Sequence, residues 1–142
     1  MKKNIQKMTK GKKVIGSGSS RVVYNWNNTQ VLKVAKSKLG IRCNRTEVII
    51  YNSVPSRVKK YLAAVIRHGT GYRWLIMRKY SRKFPKSRRI ESNVIDLRNK
   101  FESYGIIPHD TRVYKFGHYQ NLRLNRKGKI VVIDYGHFIK NL

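Results

Sequence analysis

The chain has 142 residues, of which 33 are Lys or Arg and only six are Asp or Glu, giving a formal net charge of +27. That length sets one domain with room for a real core, and a hydrophobic fraction of 40% excludes a disordered basic tail. The single cysteine, Cys43, excludes an internal disulfide and a cysteine-built zinc site, and predicts a reducing, cytoplasmic setting. No apolar run approaches the roughly 20 residues of a membrane span. The first 13 residues, MKKNIQKMTKGKK, lack the hydrophobic stretch of a secretory signal. Self-repulsion at this charge destabilises the compact state, so a polyanionic partner is expected: nucleic acid first, an acidic protein or anionic membrane second. A solvated basic surface without a ligand is the plainer alternative.

In chain order, residues 1–13 carry six lysines and read as a flexible basic arm. Val14–Ile15 and Arg21–Asn25 read as strands around a Gly-Ser-rich turn. Asn27-Asn28 signals a second turn, and Gln30–Lys36 resumes as a strand with Val31, Lys33 and Ala35 on one face. Asn44-Arg45-Thr46-Glu47 has the form of a capping box, which predicts a helix starting at Asn44 and ending before Pro55. Ser56–Tyr61 adds a helical turn. Leu62–His68 and Tyr72–Met77 read as two further strands, joined by His68-Gly69-Thr70-Gly71.

A basic stretch, RKYSRKFPKSRR, follows at 78–89. A second helix starts near Ser92, with Val94, Leu97, Phe101 and Tyr104 at helical spacing and Gly105 just past its end. Strands at Asn121–Leu124 and Lys129–Ile133 close the chain as a hairpin. The predicted class is α+β: a five-stranded antiparallel sheet with an inserted helix, then an abbreviated part made of a helix and a β-hairpin. The expected organisation is an arm at 1–13 and one domain at 14–142, divided into 14–77, a linker at 78–91, and 92–142.

Three of the six acids stand out. Glu47 lies shortly after the strand bearing Lys33, Asp110 follows His109, and Asp134 opens Asp134-Tyr135-Gly136 directly after Ile130-Val131-Val132-Ile133. Upstream stands Ile15-Gly16-Ser17-Gly18-Ser19-Ser20-Arg21-Val22-Val23-Tyr24. A glycine turn, a strand lysine, a helix glutamate and a strand-end aspartate, in this order, resemble the protein kinase-like fold, and more narrowly a very small kinase-like protein of bacterial or phage type.

The resemblance covers residues 14 to about 138. It implies an ATP and Mg²⁺ site with Gly16, Ser17, Gly18 and Ser19 over the phosphates, since glycines let the backbone amides approach them closely. Arg21 stands where the family has its third glycine, and could add a phosphate-binding cation. Lys33 would contact the phosphates; Lys36 competes for that role, because it follows Val34-Ala35 more literally. Glu47 would pair with the lysine, unless it caps the helix instead. Ala35 and Met77 would flank the adenine.

Asp134 would hold the metal, an oxygen ligand of the kind Mg²⁺ takes. Asp110 would be the catalytic base, which puts Lys115 where the family has its metal-binding asparagine. The other register puts Asn121 in that metal-binding role and Phe116 where the base belongs. The chain stops eight residues after Asp134, which predicts a minimal protein without a peptide-holding lobe and a phosphotransferase directed at one dedicated partner.

The linker supplies a second candidate site. Arg78, Lys79, Arg82, Lys83, Lys86, Arg88 and Arg89 place seven cations within twelve residues, with Tyr80 and Phe84 interleaved. Cations neutralise phosphates and aromatic rings stack on unpaired bases. The alternative function is therefore a kinase-fold binding module, catalytically impaired, that grips nucleic acid or an acidic protein, as a phage-encoded inhibitor acting in its host's cytoplasm would.

Overall fold

Alternating apolar residues organise the first half of the chain into a five-stranded antiparallel sheet. The computed structural model describes residues 2–83, 88–108 and 121–140. The sheet runs in the order β1-β2-β3-β5-β4, formed by β1 (Val14–Ser17), β2 (Arg21–Asn25), β3 (Gln30–Ala35), β4 (Val65–His68) and β5 (Trp74–Arg78). The β2–β3 turn closes through Asn27, whose side-chain oxygen accepts the Thr29 N–H at 2.9 Å.

Period-2 alternation splits the sheet into two apolar faces. Leu75 and Met77 join the main core, whereas Leu32, Val34 and Ile76 form a smaller cluster on the other face. That second face explains a departure from the sequence reading. The basic N-terminal segment is not a flexible arm but a helix, α1 (Lys2–Thr9), whose Ile5 and Met8 pack on the smaller cluster with Trp26 and Trp74. The lysine count hid an amphipathic helix.

Helix α2 (Lys38–Ser53) starts six residues before the predicted point, with the Ser37 hydroxyl accepting the Gly40 N–H. Gly40 lies inside the helix, which crosses close to β2 and β3. A Cβ at this position would collide with the Ser20 carbonyl oxygen and lie 3.0 Å from Ala35 Cα. Asn44 and Glu47 are consequently interior residues of α2, both fully buried, and neither caps it. Val54 is extended ahead of Pro55, which ends the helix.

The rest of the chain packs beneath. After α3 (Ser56–Lys59), the Tyr61 carbonyl accepts the Val132 N–H at 2.8 Å and the Val132 carbonyl accepts the Ala63 N–H at 2.9 Å. These bonds tie the first half to the hairpin of β7 (Leu122–Leu124) and β8 (Ile130–Val132). Helix α4 (Arg88–Ser103) starts four residues before Ser92, shortening the linker, and buries Val94, Leu97 and Phe101. Gly105 follows it at φ 75°, a left-handed value that favours glycine. A small pair not foreseen in the sequence, β6 (Ile106–Ile107) with β9 (Ile139–Lys140), closes the end. The fold is α+β and kinase-like in its sheet with the inserted helix α2.

Candidate active site

Four charged side chains from four elements converge where the sheet meets the turn after β8. Lys33 is an inward residue of β3, opposite Val23 of β2. Its ammonium donates to both Glu47 oxygens, at 3.0 and 3.2 Å, and to the Ile133 carbonyl at 2.9 Å. Glu47 reaches it from α2 and also accepts the backbone N–H of Tyr135 at 3.0 Å. Lys36 lies on the opposite parity of β3's end and donates instead to the Gly18 carbonyl at 2.8 Å, exposed. Of the two lysines, Lys33 is therefore the one paired with Glu47.

Arg21 completes the cluster. It opens β2 with the parity of Val23, so it points to the same side of the sheet as Lys33. One nitrogen of its guanidinium donates to Glu47 and to Asn44 Oδ1, and the other to Asp134 Oδ1 at 2.8 Å. Arg21, Lys33, Asn44 and Glu47 are all buried, and no buried side-chain nitrogen or oxygen among the described residues lacks a partner.

Burial alone would lower the Arg21 guanidinium, but Glu47 and Asp134 outweigh it and hold it above its ordinary value. Burial would likewise raise the Asp134 carboxyl, and Lys33 and Arg21 outweigh that to hold it below the ordinary carboxylate range. Cys43 behaves otherwise. Burial pushes its thiol up despite Arg21, so it is a protonated neighbour, 3.9 Å from His137 Nε2.

A cleft of about 620 Å³ opens above this cluster. Its roof comes from Gly16, Gly18 and Ser19, its apolar walls from Ile15, Val23, Val31 and Met77, and its charged end from Lys33, Arg21 and Asp134. Asn121 lines it too, and its carbonyl accepts the Ile133 N–H at 2.9 Å. Two expected residues stand elsewhere. The Ser17 hydroxyl accepts from the Lys36 ammonium at 3.5 Å, and Ala35 packs against Gly40 at the start of α2. Val31, two residues before Lys33 on the same face, takes the wall position that the sequence reading assigned to Ala35. Asp110 and Lys86 lie outside the described residues, and Arg88 and Arg89 are placed only by backbone, at the start of α4.

Part of the basic stretch forms a positive lip of the same cleft. Arg78, Lys79 and Lys83 line it, while exposed Arg82 turns to an adjacent groove and accepts the Leu124 N–H through its carbonyl at 3.0 Å. The sequence reading missed the bridging role of Arg21 and the buried amide of Asn44. The parity of Arg21 with Val23 and Lys33 was the available signal for the first. Nothing local marked the second, whose amide donates to the Tyr72 carbonyl at 2.9 Å.

Whether the site suits Mg²⁺ turns on Asp134. One of its oxygens already accepts from a guanidinium, and the four charged side chains sum to zero. Among the described residues no group of three or more His, Cys, Asp or Glu forms. A divalent cation beside Asp134 would share the carboxylate with a buried positive charge, so the donor set does not fit Mg²⁺ as it stands.

No family model matches the chain, and no curated protein matches it. Solved structures do. A co-crystal structure of WbdD with the kinase inhibitor LY294002 superposes at TM-score 0.62 over 88% of this chain, with 15% identity. The bifunctional kinase-methyltransferase WbdD superposes at TM-score 0.62 over 87%, with 17% identity. The chain spans 32% and 31% of the chains in those two WbdD structures, about a third of their length. At this identity the likeness is one of fold, and that fold is kinase-like.

Proposed function

We propose that the protein binds a purine nucleoside triphosphate such as ATP in this cleft. The observation that carries the reading is the placement of Lys33, held by Glu47 and the Ile133 carbonyl at the charged end of a cleft roofed by a glycine turn. An ammonium fixed in this way meets a phosphate without further ordering. The purine lies between Val31 and Met77, the phosphates under Gly16, Gly18 and Ser19, and the positive lip attracts the anion from solution.

Whether bound nucleotide is turned over is a separate matter. The Arg21–Asp134 contact favours a kinase-fold protein that works by binding, with its cationic surface directed at an acidic protein or nucleic acid. Phosphoryl transfer to one dedicated partner is the alternative. Thermal unfolding with and without ATP tests the nucleotide reading. ATP at 100 times its Kd stabilises a protein that binds it only when folded by about 2.7 kcal/mol. Lys33→Met abolishes that shift while the variant still melts cooperatively. No shift in the parent at millimolar ATP disproves the site. Radiolabel transfer from ATP into a cell lysate separates the two uses of the nucleotide, since one labelled protein would favour transfer.

A further inference from the structure

We infer that nucleotide binding in this cleft does not depend on a divalent cation, because Arg21 occupies Asp134 and the further cations lining the cleft balance the ligand. The inference rests on the nucleotide reading above and adds the charge form in which the ligand is taken. A nucleoside triphosphate carries several negative charges, and a site must balance them either with a bound metal or with its own cations.

Here the balance is made by the chain. The Arg21 guanidinium is gripped by three side chains: Glu47, Asn44 and Asp134. A guanidinium held on three sides is a fixed charge, not a surface arginine sweeping through solvent. Among the described residues it lines the same cleft as Lys33, Arg78, Lys79, Lys83 and Arg123, six cations against the one lining carboxylate, Asp134.

The competing arrangement, a metal on Asp134, meets two obstacles. The carboxylate oxygen nearest the cluster is taken at 2.8 Å. A dication placed beside it would also stand near a buried guanidinium, and such like-charge repulsion grows as the local dielectric falls. Asp134 then has a different task, to orient Arg21. Its side chain is 41% exposed towards the cleft, and its Oδ1 also accepts the Gly136 N–H at 3.4 Å.

The experiment is calorimetric titration of the whole protein with ATP, once in excess EDTA and once in millimolar Mg²⁺ at equal ionic strength. The parent should bind equally in the two buffers, within about twofold. Arg21→Gln should weaken binding in EDTA by about tenfold or more, with Mg²⁺ restoring part of the loss at the released Asp134. Asp134→Asn, which removes a negative charge and keeps the shape, should tighten binding in EDTA, and it serves where Arg21→Gln fails to fold. A parent that binds only with Mg²⁺, or an Asp134→Asn variant that loses binding, overturns the inference and leaves the nucleotide site standing. Absence of binding in both buffers overturns the nucleotide reading and the inference together.

Discussion

Asp134 and Tyr135 are neighbours in the chain but belong to two regions held together by opposite means. Asp134, half-exposed to the cleft, joins three buried charges, each of which is tolerated only because another neutralises it. Tyr135 points into the apolar core and is fully buried. It packs with Phe138, which in turn meets Phe101 edge-on at 5.9 Å. The one polar atom of its side chain, the hydroxyl, donates to the Ala63 carbonyl at 2.8 Å. Burial and then Glu47 push that phenol well above its ordinary value, so it remains a neutral donor. The apolar region depends on volume and shape, the charged region on a count of charges that closes at zero. A substitution that preserves volume is therefore mild in the first and severe in the second.

The sharpest way to break this contrast is Glu47→Gln, nearly isosteric and uncharged. It leaves Arg21 and Lys33 buried with only Asp134 to balance them, and should lower the unfolding free energy by about 3 to 5 kcal/mol. Urea denaturation measures it, and a loss below about 1 kcal/mol would show that the cluster is not held by charge balance. Adding Lys33→Met should recover part of the loss, because it removes one orphaned cation.

Tyr135→Phe preserves volume in the apolar region and deletes a single hydrogen bond, so about 1 kcal/mol is expected. A loss as large as that of Glu47→Gln would erase the distinction between the regions.

Acid titration sharpens the comparison further. The folded Asp134 carboxyl is held below its ordinary value near 3.8, so its contribution is present above that pH and is lost as the pH falls through the lower folded value. Stability measured from pH 5 down to about 2 should drop more steeply in the parent than in Asp134→Asn. Equal slopes would mean that the Arg21–Asp134 contact adds nothing to the folded state.

The smallest effect belongs to a pair outside both regions. Arg98 and Glu102, one helical turn apart on α4, sit 3.2 Å apart with both side chains more than two-fifths exposed. Arg98→Ala should cost only about 0.3 to 0.5 kcal/mol and be insensitive to ATP. A larger loss would argue that charge pairing stabilises this protein even in water.

Much of the architecture was readable in the chain itself. Apolar runs bounded by turn residues at Arg21–Asn25, Gln30–Lys36 and Tyr72–Met77 mark strands, and the spacing of Val94, Leu97 and Phe101 marks α4, because such patterns relate residues only a few positions apart. The order of Gly16, Lys33, Glu47 and Asp134 stood out through its resemblance to the kinase-like arrangement, not through periodicity. Two boundaries were misread where a distant surface decided them. Helix α1 forms because the sheet's outer face needs a cover, and α2 starts early because Gly40 lets it approach the Ser20 carbonyl.

The partners of the charged groups were decided by tertiary structure alone. On local pattern alone Glu47 was equally a helix cap, and no partner of Arg21 within the chain was marked. Their choice depends on which opposite charges share a water-poor volume, and Arg21 meets Asp134 across 113 positions of chain. No local pattern encodes such a meeting. It exists only once the sheet, α2 and the turn after β8 close around one space.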